Sequence, residues 1–88
     1  MWYIVIMRYT WDFSKNISNH QKHGIWFSEV IEMLEGDNYE LTFDADHSSH
    51  GEDRWIAKGY VSLYGAVVVI FVEVIEGDLI RIISARKE

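Results

Sequence analysis

Arg81 stands in the run LIRIISAR, with isoleucine on either side. A guanidinium on a half-buried strand is costly unless it meets a carboxylate, a phosphate or water. Two chemistries fit: a structural ion pair, for which Glu73 on the neighbouring strand is the candidate partner, or an anion site. Arg54 opens a second strand-like run, RWIAKGYVS, and a guanidinium fork projecting from a sheet can hold two anionic oxygens at once. Flanked by Glu52 and Asp53, it reads equally well as a charge that neutralises a loop. His23, directly before Gly24, is a candidate general acid or base because imidazole titrates near neutral pH, although the end of a helix favours a histidine through its dipole alone. His20-x-x-His23 and His47-x-x-His50, with Asp44 and Asp46, contain nitrogen and oxygen donors for a metal. Helical ligand pairs favour i, i+4 over the i, i+3 seen here, and cysteine is absent, so neither metal nor cofactor is expected.

Such groups need stiff carriers, and the stretch that supplies them is AVVVIFVEVIEGDLIRIISAR over 66–86, two long strands joined by a turn at Glu76-Gly77-Asp78. The unbroken β-branched run at 66–72 must be buried on both faces, which makes it the central strand. In its partner, strict alternation sends Ile80, Ile82 and Ser84 one way and Leu79, Arg81, Ile83 and Ala85 the other. Arg81 and Arg86 then lie on opposite faces unless the strand ends or bulges near Ser84.

Upstream, residues 2–9 (WYIVIMRY) read as a first strand. Asp12 is an N-cap for a helix over Phe13 to His23, with Gly24 as a left-handed stop. On it Phe13, Ile17 and His20 form the face expected to pack, while Lys15, Asn19 and Lys22 face solvent or a ligand. A second helix from Phe27 to Glu35 carries the stripe Phe27, Val30, Ile31, Leu34, with acidic Glu29, Glu32 and Glu35 outside. YELTF at 39–43 is a strand, DADHSSHGED a polar loop, and a turn at Leu63-Tyr64-Gly65 leads into the hairpin. The order β-α-α-β-β-β-β predicts an α+β domain over 1–88, with a mostly antiparallel sheet and two helices on one face.

With 88 residues the chain holds one core, and 49% hydrophobic and 15% aromatic content excludes intrinsic disorder. The lack of cysteine makes a cytoplasmic setting the default. WYIVIM is too short for a membrane span and lacks the pattern of a signal peptide. The net charge of −6 conceals a division: residues 28–53 hold nine acids and no Lys or Arg, leaving five acids against all eight bases elsewhere. An exposed strand edge offers a route to homodimers.

WDFSKNISNHQKHGIWF resembles the opening signature of the BrnT family of bacterial toxins, through Trp11, Asp12, Lys15, Asn19, Lys22, His23, Gly24, Ile25 and Phe27. HSSHGEDRWIAKG is similar to that family's His-Ser, acidic-Arg-aromatic and Gly segment, and RIISAR to its near-terminal signature. The three motifs occur in order and span Trp11 to Lys87. The resemblance implies a RelE-like fold and a metal-independent endoribonuclease of a type II toxin-antitoxin system that inhibits translation. It also implies a BrnA-type antitoxin partner, with operator DNA contacted only through that antitoxin.

The family's RNA-contacting positions fall on Lys22, His23, Arg54, Arg81 and Arg86, with Glu52 nearby, and Lys15 lies in the same motifs. In that chemistry, attack by the 2′-hydroxyl needs a base, His23 or alternatively Glu52, and cations around the phosphorus. The resemblance thus implies Arg54, Arg81 and Arg86 as the catalytic cations, with Lys15 and Lys22 expected to hold RNA. Two departures stand out. The family continues past SAR into a basic helix where this sequence ends at Lys87-Glu88, and Trp26 occupies a position where a small capping residue is expected. With the acidic segment, these support an alternative: a weakly active or inactive BrnT-like protein acting as an antitoxin-binding, co-repressor subunit.

Overall fold

The computed structural model describes residues 8–36, 38–48 and 52–88. Five strands form one sheet in the order β1-β5-β4-β3-β2, with β1 Arg8–Trp11, β2 Glu40–Phe43, β3 Asp53–Val61, β4 Gly65–Ile75 and β5 Leu79–Lys87. The last four strands are an antiparallel meander, as their short connections require, and β1 joins β5 in parallel. Of the first strand expected over 2–9, only Arg8 and Tyr9 are among the described residues, and there the strand runs on to Trp11.

β4 is the middle strand. Val67, Val69 and Phe71 point to the helices and join a core with Ile25, Phe27, Val30, Met33, Leu34, Ala57, Val61, Ile80, Ile82 and Ala85. Val68 and Val72 point the other way, are 3% and 2% exposed, and stand apart from that core. Trp11 and Trp55 pack on the core, as expected of them.

Helix α1 spans Phe13–His23, capped by the Asp12 carboxylate on the Lys15 N–H and stopped by Gly24 at φ 73°. The Ser14 hydroxyl and the Lys15 N–H hold the Asp12 carboxyl below its usual range. A 3-10 turn, Phe27–Val30, leads into α2, Ile31–Glu35, so the expected second helix is present with a tightened first turn. Trp26 supplies no side-chain cap there. Instead the Glu29 carboxylate accepts from the Trp26 N–H at 2.8 Å and from the Tyr64 hydroxyl at 2.6 Å, which raises the Tyr64 pKa. The Trp26 ring stacks on His20 at 3.9 Å.

The expected packing face of α1 is wrong. Phe13 is 77% and Ile17 36% exposed, whereas Asn19, assigned to the solvent side, is 6% exposed. The cause is the sheet edge beneath it. β1 pairs β5 only from Leu79 to Ile82, leaving the next stretch of β5 without a strand on that side. The Asn19 amide fills that gap, donating to Ala85 C=O at 2.8 Å and to Ile25 C=O at 3.0 Å and accepting from Ala85 N–H at 3.1 Å. A side chain with one acceptor and two donors is fully used here.

Candidate functional site

The decisive local feature is a slip in the β4–β5 ladder. Ile70 pairs with Ser84 but the next residue, Phe71, pairs with Ile82, so Ile83 is an extra residue in β5. Strict alternation is therefore broken, and the expected grouping of Ser84 with Ile80 and Ile82 is corrected: Ala85 joins them on the helix side. Arg81 opposite Val72, Ser84 opposite Ile70 and Arg86 opposite Val68 then share the helix-free face.

On that face β3 places Arg54 opposite Val72, Ile56 opposite Ile70 and Lys58 opposite Val68. Arg54, Lys58, Arg81 and Arg86 thus stand at the corners of a frame about 10 Å wide and 13 Å long, from strand spacing and rise. Its floor is Val68, Ile70 and Val72. Long basic side chains on a sheet can cover such a floor with their methylenes while keeping their charges in water.

Ion pairing leaves the three arginines of the frame without carboxylate partners among the described residues. The expected Arg81–Glu73 pair is absent because the two stand on opposite faces: Glu73 lies opposite Ile80, on the helix side, while Arg81 lies on the other. Among the described residues the salt bridges are Arg8–Asp78 at 2.9 Å, His47–Asp44 at 3.0 Å and a long Lys58–Glu88 contact at 3.9 Å. Arg54, Arg81, Arg86 and Lys22 make no salt bridge among those residues, so the loop-neutralising pairing of Arg54 with Glu52 or Asp53 is not made, while Lys15 lies near the Asp12 carboxylate without closing a salt bridge to it. The Arg54 Nε is buried without an acceptor among the described residues. Such a donor is costly when left unmet.

Beside the frame, where α1 lies against the bulge, a groove of about 270 Å³ is lined by Lys15, Ser18, Asn19, Lys22, His23, Ile83 and Ser84. Asn19 holds the two walls together, so the lysines and His23 of α1 face Ser84 at the frame's border. Lys15, Lys22 and His23 are accordingly gathered in the groove, and Arg54, Arg81 and Arg86 on the adjoining face. Glu52 lies just ahead of β3, two positions before Arg54, and does not line the groove. Lys58 and Ser84 were missed as candidates. Lys58 was legible through its i+4 spacing from Arg54 on one strand, but Ser84 was not, because only the bulge turns it to this side.

Of the alternative metal donors, His20 stacks on Trp26 and the His47 ring bonds the Asp44 carboxylate at 3.0 and 3.1 Å. His50 lies outside the described residues. No three His, Asp or Glu side chains gather as a metal site among the described residues. No helix among them is long and apolar enough to cross a membrane.

Residues 11–88 match the model of a family described as the ribonuclease toxin, BrnT, of type II toxin-antitoxin systems. Among solved structures, the chain is similar to the Brucella abortus ribonuclease toxin BrnT, with a TM-score of 0.72 and 25% identity over 94% of this chain and 97% of that one. No curated protein matches it by sequence.

Proposed function

The chain belongs to the BrnT family of type II toxin-antitoxin ribonuclease toxins, and from that premise we propose that it cleaves RNA on the helix-free face of its sheet and thereby inhibits translation. The observation that carries this reading is the bulge at Ile83, which turns Arg81 and Arg86 to the face that also bears Arg54, beside the groove of Lys15, Lys22 and His23.

Each residue has a role that its position permits. The Arg81 and Arg54 forks take the non-bridging oxygens of the scissile phosphate and stabilise the charge that grows there as the 2′-oxygen attacks. Arg86, Lys15 and Lys22 hold flanking phosphates. His23, exposed at the mouth of the groove, exchanges protons with the 2′-hydroxyl or the leaving 5′-oxygen, and Glu52 is the alternative base. The nucleophile belongs to the substrate, so cleavage is expected to persist in EDTA. The partner is a BrnA-type antitoxin, through which operator DNA is contacted, and the setting is the cytoplasm, where messenger RNA is found.

Purified protein mixed with a fluorophore-quencher RNA tests this. Arg81→Ala is expected to lower the cleavage rate by about 100-fold without changing thermal unfolding, since the side chain has no partner to lose among the described residues. Equal cleavage by the variant would remove the site. Should neither protein cleave, and expression leave growth unaffected, the co-repressor role favoured by the acidic 28–53 segment replaces the nuclease.

A further inference from the structure

The edge of the sheet opposite α1 carries an unfinished surface of different chemistry. β2 is the edge strand, and Leu41 and Phe43 on it are 46% and 44% exposed. Both point to the helix side, since they pair with Ala57 and Trp55. The Asp44 N–H donates to the Arg54 C=O at 2.9 Å, which makes 44/54 a bonded pair and, by alternation, 42/56 and 40/58 also. The backbone N–H and C=O of Leu41 and Phe43 are therefore turned outward, away from β3. An exposed edge strand with two apolar side chains, whose outward donors and acceptors meet no strand among the described residues, is a template for another strand.

Next to it, on the same side, lies a hollow of about 270 Å³ lined by Tyr39, Leu41, Trp55, Phe71, Glu73 and Ile80. Glu73 at its rim stands directly opposite Asp53 in the β3–β4 ladder. Like charges opposite one another destabilise a sheet, and among the described residues no salt bridge neutralises either. Of the acid-only stretch 28–53, Glu40 lies on β2, Asp44 directly after it and Asp53 at the start of β3. A second copy would bring the same acids against this edge, and RNA would be repelled by it.

We propose that the β2 edge and this hollow dock a basic, extended segment of a partner protein, which adds as a sixth strand, buries an apolar side chain against Leu41 and Phe43, and sets a lysine or arginine against Asp53 and Glu73. In the toxin reading that partner is the antitoxin, but the surface does not depend on the RNA chemistry of the other face. A complex assembled there leaves the cation frame uncovered by the docked strand itself.

The test uses isotope-labelled protein and a synthetic peptide of about ten residues alternating Lys with Ile or Val, enough to span an edge strand, beside a control with Glu in place of Lys. Expected are saturable NMR shifts at the Leu41 and Phe43 amides and the Trp55 indole N–H. Binding should weaken about tenfold in the Asp53→Asn/Glu73→Gln variant, and by a similar factor as salt rises through the physiological range. Both substitutions relieve repulsion, so the variant retains its fold. The proposal is overturned if the glutamate peptide binds as well, if shifts fall on the Arg54, Arg81 and Arg86 face, or if no shift occurs at about 1 mM peptide, a very weak limit. It is equally overturned if the same shifts follow protein concentration alone, which would make a second copy the occupant.

Discussion

Asn19 joins three segments with one amide: helix α1, the loop at Ile25 and strand β5. Its surroundings are buried, so each partner it abandons stays unmet. Asn19→Asp keeps the acceptor for the Ala85 N–H but removes both donated bonds and turns a carboxylate toward two carbonyls. A loss of about 2–4 kcal/mol is expected, measured by urea unfolding, and unchanged stability would show that water replaces the clamp. The sequence pattern hid this residue. Phe13 and Ile17 are apolar and helically spaced, so periodicity assigns them the packing face. The open edge of β5 instead demands a polar side chain that can imitate a strand, and that demand is invisible until β1 is seen to end at Trp11. The chemistry-bearing residues were more legible. Arg81 and Arg54 drew attention as charges on strands, and the structure leaves both without carboxylates among the described residues.

Elements show a similar division. The caps of α1, the two glycine turns of the meander and the central position of β4 follow from local rules, because N-caps, left-handed glycines and β-branched runs act over a few residues. The bulge at Ile83 does not, since nothing in IISAR distinguishes an inserted residue from continued alternation, and it settles which face Arg86 takes. A close approach at the α2–β3 contact was equally hidden. A Cβ at Gly59 would come within 2.8 Å of Met33 Cγ and Sδ and 2.9 Å of Tyr39 Cβ. The methionine can swing aside, whereas Tyr39 Cβ is fixed to its backbone. Gly59→Ala is therefore expected to cost about 1–3 kcal/mol by urea unfolding. Because Gly59 lies on β3 against the helices, RNA cleavage per folded molecule should be unchanged. A stability equal to the parent's would mean that α2 shifts freely on the sheet.

At the scale of the molecule, charge is divided between two working surfaces. The net −6 is misleading for the proposed RNA site. The unpaired arginines lie on β3 and β5 and the lysines beside them on α1, whereas acids of 28–53 lie on the 3-10 turn, α2, β2 and the start of β3, so the field at the frame is set by its own corners rather than by the sum. This division was readable in the sequence as an acid-only segment, but its meaning was not, because the sheet order decides which strands border it. The most direct measurement is an NMR titration with a short 2′-O-methyl RNA, which binds but lacks the attacking hydroxyl. The account predicts shifts at the Arg54, Arg81 and Arg86 Nε resonances and the His23 ring, none at the β2 amides, and an affinity falling with a log-log salt slope of about −2, as expected for about three neutralised phosphates. Shifts centred on β2 or Arg8, or arginine resonances unmoved at saturating RNA, would contradict it.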